Sequence, residues 1–156
     1  MRVRVTEQVF DPGAEITAFA GSRRDAGALA SFVGHCRDET HGRKVAELYI
    51  EQYPGFTQRE IERLAGEVAG RLGTLDLVVV HRVGHIQPGE PIVLVAALAA
   101  HRGQAFDAVR LLMDYLKTDA PLWKKETGPE GARWIEPTDH DHARRAKVGQ
   151  SAEETA

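Results

Sequence analysis

Cysteine is almost missing from this chain: its 156 residues hold one, Cys36, so no disulfide can form within it. The fold must be held by burial alone, and one domain of this length can bury enough apolar surface to do so. A single thiol also suits a reducing, cytoplasmic setting. No run approaches the roughly 20 apolar residues that span a bilayer, and the opening MRVRVTEQVFDPG alternates charge with valine instead of forming a signal core. Neither a membrane nor secretion is expected. A surplus of one charge is absent too, with 20 Lys+Arg against 23 Asp+Glu and a net charge of -3. That excludes a protein built to coat nucleic acid, because phosphate neutralisation needs a basic excess spread over a face. A local basic pocket stays possible, and on an acidic remainder it would be the main attraction for a small anion. The chain lacks GxxxxGK[ST], GxGxxG, GxSxG and HExxH, which removes the commonest nucleotide, hydrolase and zinc-protease readings. His81 and His85 are four apart, but in strand and turn, and Cys36 has no cysteine partner, so neither metal nor cofactor is expected.

What is present alternates between two periods. Arg2 to Thr6 reads as a strand with Val3 and Val5 on one side, and Asp11-Pro12 supplies an N-cap and first-turn proline for a short helix. Gly27 to Cys36 reads as a second strand, ending in the polar loop HCRDETHGRK. KVAELYIEQY alternates as a half-buried strand, with Ala46, Leu48 and Ile50 opposite Glu47, Tyr49 and Glu51. Thr57 and Glu60 have capping-box spacing, and Ile61, Leu64, Ala65, Val68 and Leu72 then follow at helical spacing up to Gly73. LDLVVVHRVG and PIVLVAALAA read as two strands covered on both faces and joined through Gln87-Pro88-Gly89-Glu90. A further helix runs from Gly103 to about Lys117, with Phe106, Val109, Met113 and Leu116 as its stripe. LWKKE and ARWIE then form a hairpin, and a polar, mobile tail is expected over 138–156. The fold class is α/β of the α+β type, mainly antiparallel, in one domain over 1–137.

The stretch YLKTDAPLWKKE sets three lysines and a tryptophan where an apolar helix stops. Lys117 at a helix C-terminus is also explained by the dipole alone. Lys124 and Lys125 point to opposite sides of an extended segment, so only one can share a pocket with Lys117. In a desolvated cleft beside a second ammonium, that lysine would lose its proton more easily, and while charged it could hold a phosphate. In AHRGQAF, His101 and Arg102 precede a helix start that could bind an anion, although an arginine that merely caps a turn explains the position equally well. In His35-Cys36-Arg37, neighbours on a strand face opposite ways, which disfavours a thiolate nucleophile activated by His35.

FVGHCRDETHGRKVAELYIEQYPG, HRVGHIQPGEPIVLVAALAAHRGQAF and MDYLKTDAPLWKKE, in this order, resemble the large, catalytic subunit of molybdopterin synthase from about Ser31 to Trp134. The resemblance implies a hammerhead-like fold and a sulfurtransferase of molybdenum cofactor biosynthesis. The substrate would be cyclic pyranopterin monophosphate, converted to the dithiolene molybdopterin. The sulfur donor would be the C-terminal thiocarboxylate of a small ubiquitin-like subunit, with two large subunits forming the central homodimer of a heterotetramer. By the same resemblance Lys117 and Lys124 are catalytic, and His35, Cys36, Arg37, His101, Arg102, Lys125 and Glu126 belong to the substrate pocket. Cys36 stands where an aliphatic residue is expected, and Phe56 where methionine is frequent. The rival readings are a phosphate- or nucleotide-sensing module that uses the same cations only as charge, and a structural dimer partner. The first predicts that Lys117→Ala and Lys124→Ala weaken ligand binding without abolishing a chemical step, and the second leaves both lysines replaceable.

Overall fold

A computed structural model describes residues 1–21, 23–143 and 146. The first sheet has the order β1-β6-β8-β2, from Arg2–Thr6 (β1), Asp76–Arg82 (β6), Pro91–Ala99 (β8) and Ala28–His35 (β2). Only the β1–β6 pairing is parallel. Helices α2 (Phe56–Leu72) and α3 (Arg102–Thr118) cover one face, where Ile61, Leu64, Val68 and Leu112 meet Leu77, Val79 and Val95. On the other face, α1 (Pro12–Ala20) brings Ile16 and Phe19 against Val78, Val80 and Leu94. This double cover is why both central strands are almost wholly apolar. Each large aliphatic side chain buried in this way contributes about 1.5–3 kcal/mol.

A second sheet, β10-β9-β5-β7, joins Gly131–Ile135 (β10), Leu122–Gly128 (β9), Glu47–Gln52 (β5) and Gly84–Ile86 (β7), all antiparallel. Its inner face supplies Leu48, Ile50 and Ile86 to a small core with Cys36, Val45 and Val83. One continuous strand was expected from Leu75 to Gly84, but the chain changes sheets within it. Gly84 has φ 73°, a left-handed conformation that glycine adopts freely, and from there β7 pairs with β5 instead.

Three other local expectations change. Gly55, not Thr57, is the N-cap of α2, and no side chain caps it. Thr57 lies one residue inside the helix and fully buried; its hydroxyl accepts from the Tyr53 amide at 3.0 Å and donates to the Pro121 carbonyl at 3.2 Å. Phe106 is 64% exposed, because the buried stripe of α3 runs through Ala105, Ala108, Leu112 and Tyr115. The loop after β2 contains a two-residue hairpin, Glu39–Thr40 (β3) with Arg43–Lys44 (β4). Of the expected tail, residues 139–143 form a helical turn, Thr138 accepts from the His142 amide at 3.1 Å, and the remainder apart from Ala146 lies outside the described residues.

Candidate functional site

Where the ends of β2, β6 and α3 meet the inner face of the second sheet, they enclose a cavity of about 330 Å³. The alternation of β9 sends Lys124 and Glu126 inward, opposite Ile50 and Leu48, and leaves Trp123 and Lys125 on the outer face. Lys117 reaches the same cavity from the last turn of α3, and Arg37 from the segment after β2. Two lysines seven residues apart thus meet because Pro121 ends the helix-to-strand connection and β9 turns back along the cavity.

The two lysines differ in surroundings. Lys117 is half exposed, with its Nζ 3.4 Å from an Oδ1 of Asp141, which the C-terminal turn brings over the cavity. Lys124 has neither a hydrogen bond nor an ion pair among the described residues. Burial, then the charge of Lys117, pushes its pKa below the ordinary lysine value, while Asp141 acts weakly the other way. Glu126 accepts from the Thr40 hydroxyl at 2.9 Å and from Arg133 at 3.2 Å, so it ties the β3–β4 hairpin to β9 and β10. Cys36 lines the cavity but is buried. Desolvation, with Glu126 and Glu90 nearby, pushes its thiol pKa up, so it stays a thiol and makes a poor nucleophile.

His35, Cys36, Arg37, Lys117, Lys124 and Glu126 are therefore together in one cavity, whereas His101, Arg102 and Lys125 are not. The ammonium of Lys125 lies over the rings of Tyr49 and Trp134, 5.6 and 5.4 Å from their centroids, on the outer face. His101 and Arg102 stand exposed at the opposite end of α3, about 22 Å from Lys117 at 1.5 Å rise per residue. Sequence reasoning missed His81, Thr40 and Asp141. His81 was weighed only as a metal ligand with His85, yet it is 3% exposed and lines the cavity floor, while His85 pairs with Glu47 on the outside at 2.8 Å. Asp141 sat in a polar stretch with no periodicity, and Thr40 in a loop, so neither had a local signal.

A family profile described as MoaE protein matches residues 5–119. The chain belongs to the MoaE protein family. Among its relatives are the molybdopterin synthase catalytic subunits of Caulobacter vibrioides, 49% identical over 97% of this chain and 100% of that one, and of Pseudomonas aeruginosa, 46% identical over 92% and 95%. Among solved structures, the molybdopterin biosynthesis MoaE protein of Burkholderia ambifaria is 43% identical and superposes with a TM-score of 0.80, covering 95% of this chain and 97% of that one. Molybdopterin synthase of Staphylococcus aureus, at 26% identity, gives 0.77 over 85% and 95%. The mixed α/β, mainly antiparallel architecture is thus that of MoaE proteins, and the matched region includes α3 with Lys117.

Proposed function

We propose that this MoaE chain is the catalytic subunit of a molybdopterin synthase, moving sulfur from the C-terminal thiocarboxylate of a small ubiquitin-like subunit to cyclic pyranopterin monophosphate. The observation that carries this reading is the convergence of Lys117, Lys124 and Arg37 on one cavity of a protein whose net charge is -3. Both reactants are anionic, one through its phosphate and the other through its thiocarboxylate, and a concentrated positive site attracts both. Arg37 has the planar fork that matches phosphate. Lys124, with its lowered pKa, is suited to exchange protons as the sulfur attacks and a pterin oxygen leaves. The ammonium of Lys117, nearer solvent, is suited to stabilise charge developing at the thiocarboxylate.

His101 and Arg102 are part of the reading only through a second copy, since one chain keeps them about a helix length from Lys117. The central homodimer, with one small subunit at each outer end, would let one protomer's helix start complete its partner's pocket. A cytoplasmic location belongs to the same reading. The test mixes purified protein with cyclic pyranopterin monophosphate and a thiocarboxylated small subunit, and follows molybdopterin formation for wild type, Lys117→Ala and Lys124→Ala. Dithiolene from wild type, and a loss of about 100-fold or more in each folded variant, is expected. No product from wild type with a competent donor would leave a binding module in its place.

A further inference from the structure

His81 is a polar residue that the cavity chemistry above does not use. It is the penultimate residue of β6, two after Val79, so its side chain falls on the helix side of the sheet, at the cavity floor. Its Nδ1 lies 2.7 Å from the carbonyl oxygen of Arg82. A carbonyl only accepts, so Nδ1 carries the proton and Nε2 presents a bare lone pair. Among the described residues Nε2 has no protein partner, and it is open to the cavity. The second orphan is Lys124. Its strand partner is Ile50, whose own partner on the far side is Gly84, three residues after His81. Two strand spacings, about 10 Å, therefore separate the backbones of Lys124 and Gly84, and the side chains of Lys124 and His81 both line the cavity. An ammonium without an acceptor and a buried imidazole with an unused one line the same cavity, and a contact between them would relieve the desolvation of both.

We propose that His81 is the positioning residue for Lys124, its Nε2 lone pair accepting from the Lys124 amine directly or through one bridging water. The inference rests on the reading of Lys124 as the proton-exchanging lysine. Nε2 can only accept, and Lys124 has an N–H to give both as ammonium and as amine. The contact therefore survives the proton cycle and leaves the other two ammonium protons, or the amine's second proton and lone pair, free for the substrate space. Burial and the charge of Lys124 keep the imidazole neutral, with a pKa of about 4, so it stays an acceptor across the working range. The other charged or titratable groups facing this space are His35, Cys36, Arg37 and His41 from β2 and the segment after it, Lys117 from α3, Glu126 from β9, and Glu136 with Asp141 from the C-terminal segment.

The test titrates lysine labelled with ¹³C at Cε by NMR in the full chain, comparing wild type, His81→Gln and His81→Leu, with the Lys124 signal assigned by its loss in Lys124→Ala. Glutamine keeps an acceptor near the position of Nε2 and leucine does not. In His81→Leu the Lys124 pKa should fall by about one unit or more, as expected when a buried cation loses an acceptor. In His81→Gln it should remain within about a third of a unit of wild type, and the alkaline profile of molybdopterin formation should follow the same order. An unchanged Lys124 titration in His81→Leu, or equal shifts in both variants, overturns the proposal. If neither variant folds, ¹⁵N spectra of the wild type decide it. A bare Nε2 whose shift follows the Lys124 titration supports the pairing, and a protonated Nε2 or an indifferent one refutes it. The titrations need no substrate, so they stand or fall separately from the sulfur-transfer reading.

Discussion

Acidification from pH 7 to pH 5 is expected to destabilise this protein through His81. The folded imidazole titrates at about 4 and the unfolded one at 6.5. Between those values the unfolded chain binds a proton that the folded chain refuses, so stability falls as pH drops below 6.5 and stops falling on this account below about 4. The separation of about 2.5 units corresponds to about 3–4 kcal/mol for the whole window at about 1.4 kcal/mol per unit, and roughly 2 kcal/mol of it is lost by pH 5. Against a total stability of about 5–15 kcal/mol that is a large share. The assay is urea unfolding at pH 7 and pH 5, read by the fluorescence of Trp123 and Trp134, for wild type and His81→Gln. Carboxylates with lowered pKa, such as Asp25, Glu60 and Asp141, add losses at lower pH that both proteins share, so the difference between the two pH dependences isolates the histidine. Equal losses in wild type and variant would refute the reasoning, because they would mean that His81 is protonated in the folded state as easily as in the unfolded one. Lys124 acts in the same sense at higher pH: its folded pKa lies below 10.5, so stability should climb from that lowered value up to 10.5.

Thr57→Val keeps volume but strips the hydroxyl that joins Tyr53 to Pro121, leaving a part-buried amide and carbonyl without that partner. A loss of about 1–3 kcal/mol in urea unfolding is expected, together with reduced turnover, since Pro121 leads into the strand that carries Lys124. Gly128→Ala would place a Cβ 2.0 Å from the Lys44 carbonyl oxygen, a backbone atom, so the β9–β10 hairpin must shift. About 1–3 kcal/mol should be lost, and a thermal midpoint equal to wild type would show that the hairpin gives way freely.

Much of the architecture can be read locally. Ile61, Leu64, Ala65 and Val68 recur at the helical period and all are buried in α2, and the period-two alternation of β5 and β9 puts Leu48 and Ile50 inside with Lys124 while Lys125 faces out. The capping-box spacing of Thr57 and Glu60 misled because tertiary demand came first. The hydroxyl was needed between two connections 64 residues apart in the chain, Thr57 and Pro121, and Glu60 turned to Arg63 instead. Phe106 fits a helical stripe on paper, but the face that α3 buries is set by α2 and β8, and these select the alanines.

The sequence by itself determined the element types, the opposite facing of Lys124 and Lys125, and the ordered motifs that mark a MoaE protein, because each depends on the period of a helix or strand or on neighbours along the chain. Only the tertiary structure decided who shares the cavity. It placed Asp141 against Lys117 across 24 residues and Thr40 against Glu126 across 86, set His81 in the floor, and left Arg102 at the far end of α3. Such contacts arise where two sheets and a helix end meet, and no local pattern encodes a meeting between segments that far apart.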